Sequence, residues 1–544
     1  MDNIEAIVLG LLVAVVALSI LAQFVRIPYP ILMVLGGLGL GLIPGAPKVT
    51  LNPEVVLLIF LPPLLYVGAF FASLRDVRRD ARTITLLAVG LVGATAVAVA
   101  VTAHELIGLP WAAAFTLGAI VSPTDPLAAT QIMRRLGAPR RIVTVLEGEG
   151  LINDATALVL YRAAVGAAVG GTFSVADAGL RLVLAPIGGV VVGLAVAWVI
   201  AEVRRRVEDV PTEITISVFT GYAAYLPAEA MGASGVLAAV TAGIYLGWRA
   251  PEIASSESRL QGFSFWTITQ FLLNATLFVL IGLQLPQVLD ALAGRSASEL
   301  ARYGAVVSAV VIGVRFAWIF GMTAVIRGLD RREGQRARRA SWQARTLSSW
   351  AGMRGAVSLA AALAVPVTTD SGAPFPGRDL ILFITFCVIL ATLVFQGLTL
   401  PALMRVLKVA DDGEEERNEE LRARLAAAAA ALERLDEPEG EEWVRPETLE
   451  RMRGVYRWRK RRFAAQAGKI DDDGAVEDQS QGYQRAVREV IDAQREVLVG
   501  LRNRGDISND VMHRIERELD LEDSRLDRPV DDRELGPRGS RGTD

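Results

Sequence analysis

Between residues 111 and 133 the chain reads WAAAFTLGAIVSPTDPLAATQIM. A helix needs an apolar run of about this length, roughly 20 residues, to cross ~30 Å of hydrocarbon. Its middle, Ser122-Pro123-Thr124-Asp125-Pro126, cannot stay helical, because each proline deletes a donor and clashes with the preceding turn. A break at membrane depth frees backbone carbonyls, which are tolerated only where they line protein or a cavity. An ionisable residue there is costly and marks an ion or proton path. The simpler account is a proline kink in which Asp125 caps the second half-helix. A kink, however, needs no carboxylate.

The rest of the chain supports a membrane setting. Of 544 residues, 52% are hydrophobic, and the charges are segregated. Residues 411–544 hold 35 acids and 25 bases, whereas residues 1–410 hold only 24 and 31. A soluble domain of ~400 residues would carry about 100 charged side chains. Residues 1–410 are therefore a polytopic membrane domain and 411–544 a charged soluble tail, which excludes an ordinary soluble enzyme. One cysteine, Cys387, and two histidines, His104 and His513, leave no disulfide framework and no His-rich metal site. The acidic start Met1-Asp2-Asn3-Ile4-Glu5 lacks a basic n-region, so the first apolar stretch reads as a retained span.

Thirteen stretches are candidate helical spans: 4–25, 27–46, 52–71, 83–105, 110–133, 142–170, 178–203, 213–230, 232–249, 264–286, 300–327, 346–366 and 379–405. Barrel strands would alternate in ~10-residue pieces, and these do not. Connections after odd spans carry 21 basic residues, from Arg26 through Arg75, Arg134, Arg204 and Arg249 to the run Arg327–Arg345. Those after even spans carry five: Lys48, Arg181, Arg295, Arg302 and Arg378. Positive loops stay cytoplasmic, which puts the N-terminus outside and the tail inside.

Polar groups interrupt three further spans. The sixth contains Glu147-Gly148-Glu149-Gly150-Leu151-Ile152-Asn153-Asp154, where spacings of four put carboxylates and amide on adjacent strips of one helix. Asn153 and Asp154 fit an ion site or, more blandly, interhelical hydrogen bonding; Glu147 fits either the site or a solvated end. The twelfth contains Trp350-Ala351-Gly352-Met353-Arg354-Gly355-Ala356-Val357-Ser358. Arg354 demands an acidic or carbonyl partner, and Glu149 is the expected one. Arg315 in the eleventh span is a second buried base or a snorkelling one. Arg162 lies two turns beyond Asp154, at the outer boundary. Spans 5 and 12 occupy corresponding places in two six-span halves of opposite direction. Such an inverted repeat with paired interrupted helices points to a transporter's midplane site.

Carboxylates, hydroxyls, an amide and freed carbonyls suit a hard cation. No activated nucleophile, phosphate loop or cofactor fingerprint accompanies them, and nothing points to a nucleic-acid partner. A buried carboxylate that takes either a proton or a metal ion exchanges one for the other if it faces one side at a time.

Three motifs carry a resemblance over residues 1–410: Ser122-Pro123-Thr124-Asp125-Pro126, Glu149 with Leu151-Ile152-Asn153-Asp154-Ala155, and Gly352-Met353-Arg354-Gly355-Ala356. They resemble the signatures of the monovalent cation:proton antiporter-1 family, the bacterial NhaP-like and animal sodium/proton exchangers. The tail segment Gly505–Leu526 resembles the C-terminal part of the bacterial subgroup. The resemblance implies an NhaA-like inverted-repeat fold of about thirteen helices, a homodimer in the bacterial cell membrane, and a mobile core moving elevator-like against a dimerisation domain. It implies electroneutral one-for-one exchange of Na⁺, and of Li⁺, for H⁺, serving pH and sodium homeostasis. By position it makes Asp154 the main ion- and proton-binding carboxylate, with Asn153, Asp125 and Thr124 beside it and Ser122 and Arg315 secondary. It makes Glu149 and Arg354 a structural ion pair. Gly150 departs from the pattern, since many relatives have a serine oxygen there.

The cation is open between Na⁺ and K⁺ on these residues, and a gated channel or sensor is the reading from another class. In the tail, helices are expected over Glu414–Asp436, Pro446–Gln466, Tyr483–Asn503 and Ser508–Leu526, ended by Pro438 and Gly440 in the first case, with a disordered terminus. A basic-aromatic cluster around Tyr456 and Trp458 suits either anionic lipid or a solvated face. Regulation, dimer support and solubility are all open as roles for the tail.

Overall fold

Where the sequence is apolar the backbone is helical, and some helices carry prolines within them, as at Pro62, Pro63, Pro186 and Pro401, while the helical course breaks around Pro123 and Gly352–Gly355. The computed structural model describes residues 2–25, 27–43, 53–170, 175–292, 294–329, 340–409, 413–436, 445–470, 475–504, 506–524 and 526. Arg26, Lys48, Arg331, Arg332, Arg336, Arg338, Arg339, the helix stop at Pro438 and Gly440, Gly505 and the last residues of the tail lie outside these. The chain divides into two compact units, Met1–Asp412 and Gly413–Asp544. No strand forms among the described residues, only an isolated bridge between Thr368 and Pro374.

The first unit holds α1 (Asp2–Val25), α2 (Tyr29–Gly41), α3 (Pro53–Phe70), a short α4 (Leu74–Arg79), α5 (Ala81–Ile107), α6 (Trp111–Val121), α7 (Pro126–Arg135), α8 (Arg140–Gly170), α9 (Val175–Arg204), α10 (Val210–Ala230), α11 (Gly235–Ile253), α12 (Ser256–Ala291), α13 (Ala297–Leu329), α14 (Trp342–Trp350), α15 (Ala356–Leu363) and α16 (Arg378–Leu407). Each of the thirteen apolar stretches holds one helix or a pair of half-helices. Six single helices among the described residues are long and apolar enough to cross a membrane: α5, α8, α12, α13 and α16, and α9 from Val183.

Two features shape the frame. A Cβ on Gly37 would lie 2.2 Å from the Val279 carbonyl oxygen, so α2 and α12 touch backbone to backbone. In α5 a π-helical stretch over Leu86–Leu91 loosens the ladder. The Trp318 indole of α13 donates to the Leu86 carbonyl there at 3.2 Å. One apolar core runs through α6, α8, α12, α13 and α16, with Leu117, Leu146, Phe278, Val307 and Ile384 buried together. Another joins α3 to α9, α10 and α11 around Tyr66, Ala197, Ala224 and Leu246.

The second unit holds α17 (Glu414–Asp436), α18 (Pro446–Gln466), α19 (Ala475–Arg504) and α20 (Asn509–Asp523). The third of these starts eight residues before the expected Tyr483, with Val476 and Ser480 already buried. α19 and α20 pair through Ile491, Leu498 and Leu519. In α18 the Arg459 and Arg462 guanidiniums lie over the rings of Tyr456 and Trp458.

Candidate functional site

α6 ends at Val121 because Pro123 has no N–H to give Ala119, whose carbonyl instead accepts from Ser122 Oγ at 2.9 Å. Ser122 is buried, its hydroxyl is spent on that repair, and it does not line the cavity described below. The chain bends through Ser122 and Pro123 to an extended Asp125, whose Oδ1 accepts from Leu127 N at 3.0 Å and caps α7, with Pro126 at its first position. The capping expected of the simple kink is therefore present, but only one carboxylate oxygen performs it.

The second break, Ala351–Gly355 between α14 and α15, crosses the first. Asp125 N–H donates to the Met353 carbonyl at 2.8 Å, and Arg354 Nε donates to the Val121 carbonyl at 3.1 Å. Each broken helix thus satisfies a group the other has freed. A Cβ on Gly355 would stand 2.0 Å from Asp125 Oδ2, so only glycine lets the carboxylate sit against this backbone.

α8 packs onto the crossing. A Cβ on Gly150 would lie 2.5 Å from Pro126 Cγ, so the missing serine is matched by a proline ring filling its place. Asn153 Nδ2 donates to both the carbonyl and Oγ1 of Thr124, each at 2.9 Å, while its Oδ1 is buried without a partner. Asn153 is fully buried behind Thr124 rather than on the cavity wall. Thr124 Oγ1 in turn donates to Glu149 Oε1 at 2.8 Å.

The structure corrects the expected ion pair. Glu149 is held by Arg315, not Arg354: Nη1 meets Oε1 at 2.5 Å and Nη2 meets Oε2 at 2.9 Å, a two-pronged contact with both side chains almost fully buried. Arg315 Nε is satisfied by the Ser348 carbonyl at 3.1 Å, so this residue is a buried partner and not a snorkelling one. Arg354 instead serves carbonyls, those of Val121 and Gly352, while its own amide donates to Thr392 Oγ1 at 3.0 Å and its Nη2 has no partner. The physical reason is reach: Val121 is the C-terminal end of α6, where the helix dipole attracts a cation.

Asp125 and Asp154 line one cavity of about 410 Å³, with Thr124, Gly150 and Gly355. It extends to Arg134 and Glu147, an exposed pair 2.7 Å apart at its rim, so Glu147 belongs to the mouth. The sequence reading missed other wall residues: Thr130 and Gln131 of α7, Gln270 and Asn274 of α12, and Ser358 of α15. Ser358 Oγ is buried with no partner. Gln270 and Asn274 are four apart and so share one face of α12, a spacing that could have flagged them. Arg162, placed at the boundary by sequence, joins Glu229 of α10.

The polar part of the wall offers hydroxyl, carboxamide and carboxylate oxygens, the carboxylates being Asp125, Asp154 and, at the rim beside Arg134, Glu147, while apolar side chains such as Phe60, Leu64 and Leu277 line the rest. Such a set suits hard cations and protons.

Comparison with known proteins adds identity to this geometry. A family model described as sodium/hydrogen exchanger, transmembrane, matches residues 10–406. An uncharacterized Na⁺/H⁺ exchanger of Mycobacterium bovis is 38% identical over 532 residues, covering 96% of each chain. The Na⁺/H⁺ antiporter ApNhaP of Aphanothece halophytica is 32% identical over 442 residues, 80% of each chain. A sodium, potassium, lithium and rubidium/H⁺ antiporter of Bacillus subtilis is 35% identical over 415 residues, 74% of this chain and 61% of that one. Among solved structures, the sodium proton antiporter MjNhaP1 of Methanocaldococcus jannaschii superposes with a TM-score of 0.58 at 21% identity, over 75% of this chain and 99% of its own.

Proposed function

Since the chain belongs to the sodium/hydrogen exchanger family and is a cation:proton antiporter, we propose that it exchanges one Na⁺ for one H⁺ at Asp125 and Asp154. The observation that carries this is a charge count. The charged groups around the crossing are Arg315 and Arg354, against Glu149, Asp125 and Asp154; the first three are buried and the two aspartates are half-buried on the cavity wall. With all five ionised the site holds one uncompensated negative charge, and the rim pair Arg134–Glu147 cancels itself. One monovalent cation or one proton neutralises it; both together leave a buried positive charge. Crossing with an empty site would drag an unpaired charge through low dielectric, so only the loaded forms cross. Competition and coupling follow from the same arithmetic.

In this reading Asp154 exchanges the ion, with Asp125 Oδ2 and the Ser358 hydroxyl as further oxygens. Thr124 and Asn153 hold the break in shape, and Glu149 with Arg315 fixes α8 to α13. The membrane domain has thirteen spans in two inverted halves, N-terminus outside and tail cytoplasmic, and works as a homodimer whose core slides against its partner domain. The cavity then opens to the cytoplasm at Arg134 and Glu147, and Arg162 with Glu229 closes the opposite side.

K⁺/H⁺ exchange is the second reading, favoured by the similarity to the sodium, potassium, lithium and rubidium/H⁺ antiporter of Bacillus subtilis. The test is a pH-dye assay in proteoliposomes titrated separately with Na⁺, Li⁺ and K⁺. Asp154→Asn is expected to insert and fold yet show no ion-driven proton flux; normal exchange in that variant would end the assignment. Uncoupled, continuous cation current would favour a channel.

A further inference from the structure

A second cavity, about 230 Å³, lies where α3, α9, α10, α11 and α12 end together. Arg204 is the last residue of α9 and Glu213 sits in the first turn of α10; both face it. Their side chains are 6% and 2% exposed and approach no closer than 3.9 Å, beyond hydrogen-bond reach. Arg204 Nε and Nη1 and Glu213 Oε2 make no hydrogen bond. Buried charges left without hydrogen bonds are expensive even when a loose ion pair joins them, and here both signs turn unused capacity toward one space. A lone anion would meet the Glu213 carboxylate, and a lone cation would meet Arg204 with Arg259 on the same wall. A ligand with both charges satisfies both.

The rim adds an apolar side. Phe71 and Phe263 are exposed and stack edge to face with ring centres 5.5 Å apart. Trp266 sits deeper, its indole donating to Ser217 Oγ at 2.9 Å. Aromatic residues beside arginines mark the membrane–water boundary, and Arg204, Arg205 and Arg206 belong to the arginine-rich side of the bundle.

We propose that this cavity binds the headgroup of an aminophospholipid, phosphatidylethanolamine in chemistry, with its phosphate on Arg204 and Arg259, its ammonium on Glu213 and its glycerol end against Phe71 and Phe263. The site requires only that the unit sits in a bilayer and is independent of the antiport assignment.

The test is native mass spectrometry of the full-length protein, titrated with phosphatidylethanolamine, phosphatidylglycerol or phosphatidylcholine. Free phosphoethanolamine and inorganic phosphate form separate arms, read by melting temperature. Phosphatidylethanolamine is expected to be retained in preference to the other two. Glu213→Gln should lower that retention about tenfold, as loss of one charged hydrogen bond does, and leave phosphatidylglycerol unchanged. Arg204→Gln should lower all three. Equal retention of the amine and glycerol lipids, no effect of Glu213→Gln, or stabilisation by inorganic phosphate matching that by the lipid would each overturn the proposal.

Discussion

Replacing Glu149 by Gln keeps the side chain's shape and deletes one charge. The amide oxygen can still accept from Thr124 Oγ1, now at 2.8 Å, so the break in α6–α7 keeps that contact. What is lost is the anion facing Arg315, a guanidinium 1% exposed whose remaining partner is the Ser348 carbonyl. Stranding one member of a buried pair costs ~3–5 kcal/mol. Unfolding entropy of about 2.1 cal/mol/K per residue, over roughly 400 residues, gives about 0.8 kcal/mol/K. Tm should therefore fall by about 4–6 °C, measured by fluorescence-detected melting of purified protein in one detergent. The double variant Glu149→Leu with Arg315→Met removes both charges and should regain most of the loss, because paired removal is far cheaper than orphaning. An unchanged Tm in Glu149→Gln, or a double variant that falls by the sum of the two singles, would refute the reasoning.

Three further outcomes are expected. Gly355→Ala puts a methyl 2.0 Å from Asp125 Oδ2 and should cut exchange in proteoliposomes about a hundredfold, the cost of an ångström-scale misplacement. Gly150→Ser forces a Cβ to within 2.5 Å of Pro126 Cγ and should lower stability by ~1–3 kcal/mol through overpacking, visible as a lower Tm; a higher Tm would show that the helix yields freely. At the start of α10, the Thr212 hydroxyl and amide hold the exposed Asp209 carboxyl below the usual range. A folded pKa below the unfolded value of ~3.9 means that its stabilisation is full above that pH and lost as pH falls through the lower value. The Tm gap between the parent and Asp209→Ala should thus be constant from about pH 5 to 8 and close below about pH 4.

The breaks in the fold were legible because their causes are local: Pro123 and Pro126 cannot complete a ladder, and Gly352 with Gly355 marks the second opening. Ser122 was expected as a secondary ion-site residue instead, although the N–H that Pro123 lacks, and that the Ser122 hydroxyl replaces on Ala119, lies one residue away. The partner of Glu149 was not legible. Arg315 and Arg354 are 166 and 205 residues distant, both basic in apolar surroundings, and nothing in their spacing says which reaches the carboxylate. The choice is made by tertiary geometry, which brings Arg354 to the end of α6. Asn153 shows a related limit: its neighbourhood with Asp154 was readable, but its turn away from the cavity onto Thr124 depends on how α8 rolls against Pro126.

The link from the Asp125 amide to the Met353 carbonyl is made of main-chain atoms alone. No side chain takes part in it, so this one link does not depend on which side chains stand at the two positions, even though the Asp125 carboxylate also caps α7 and Met353 is buried in the core. It also joins the two interrupted segments directly, with no side chain between them. The spacing between Asp125 and the second break is therefore set by backbone and not by any side-chain rotamer.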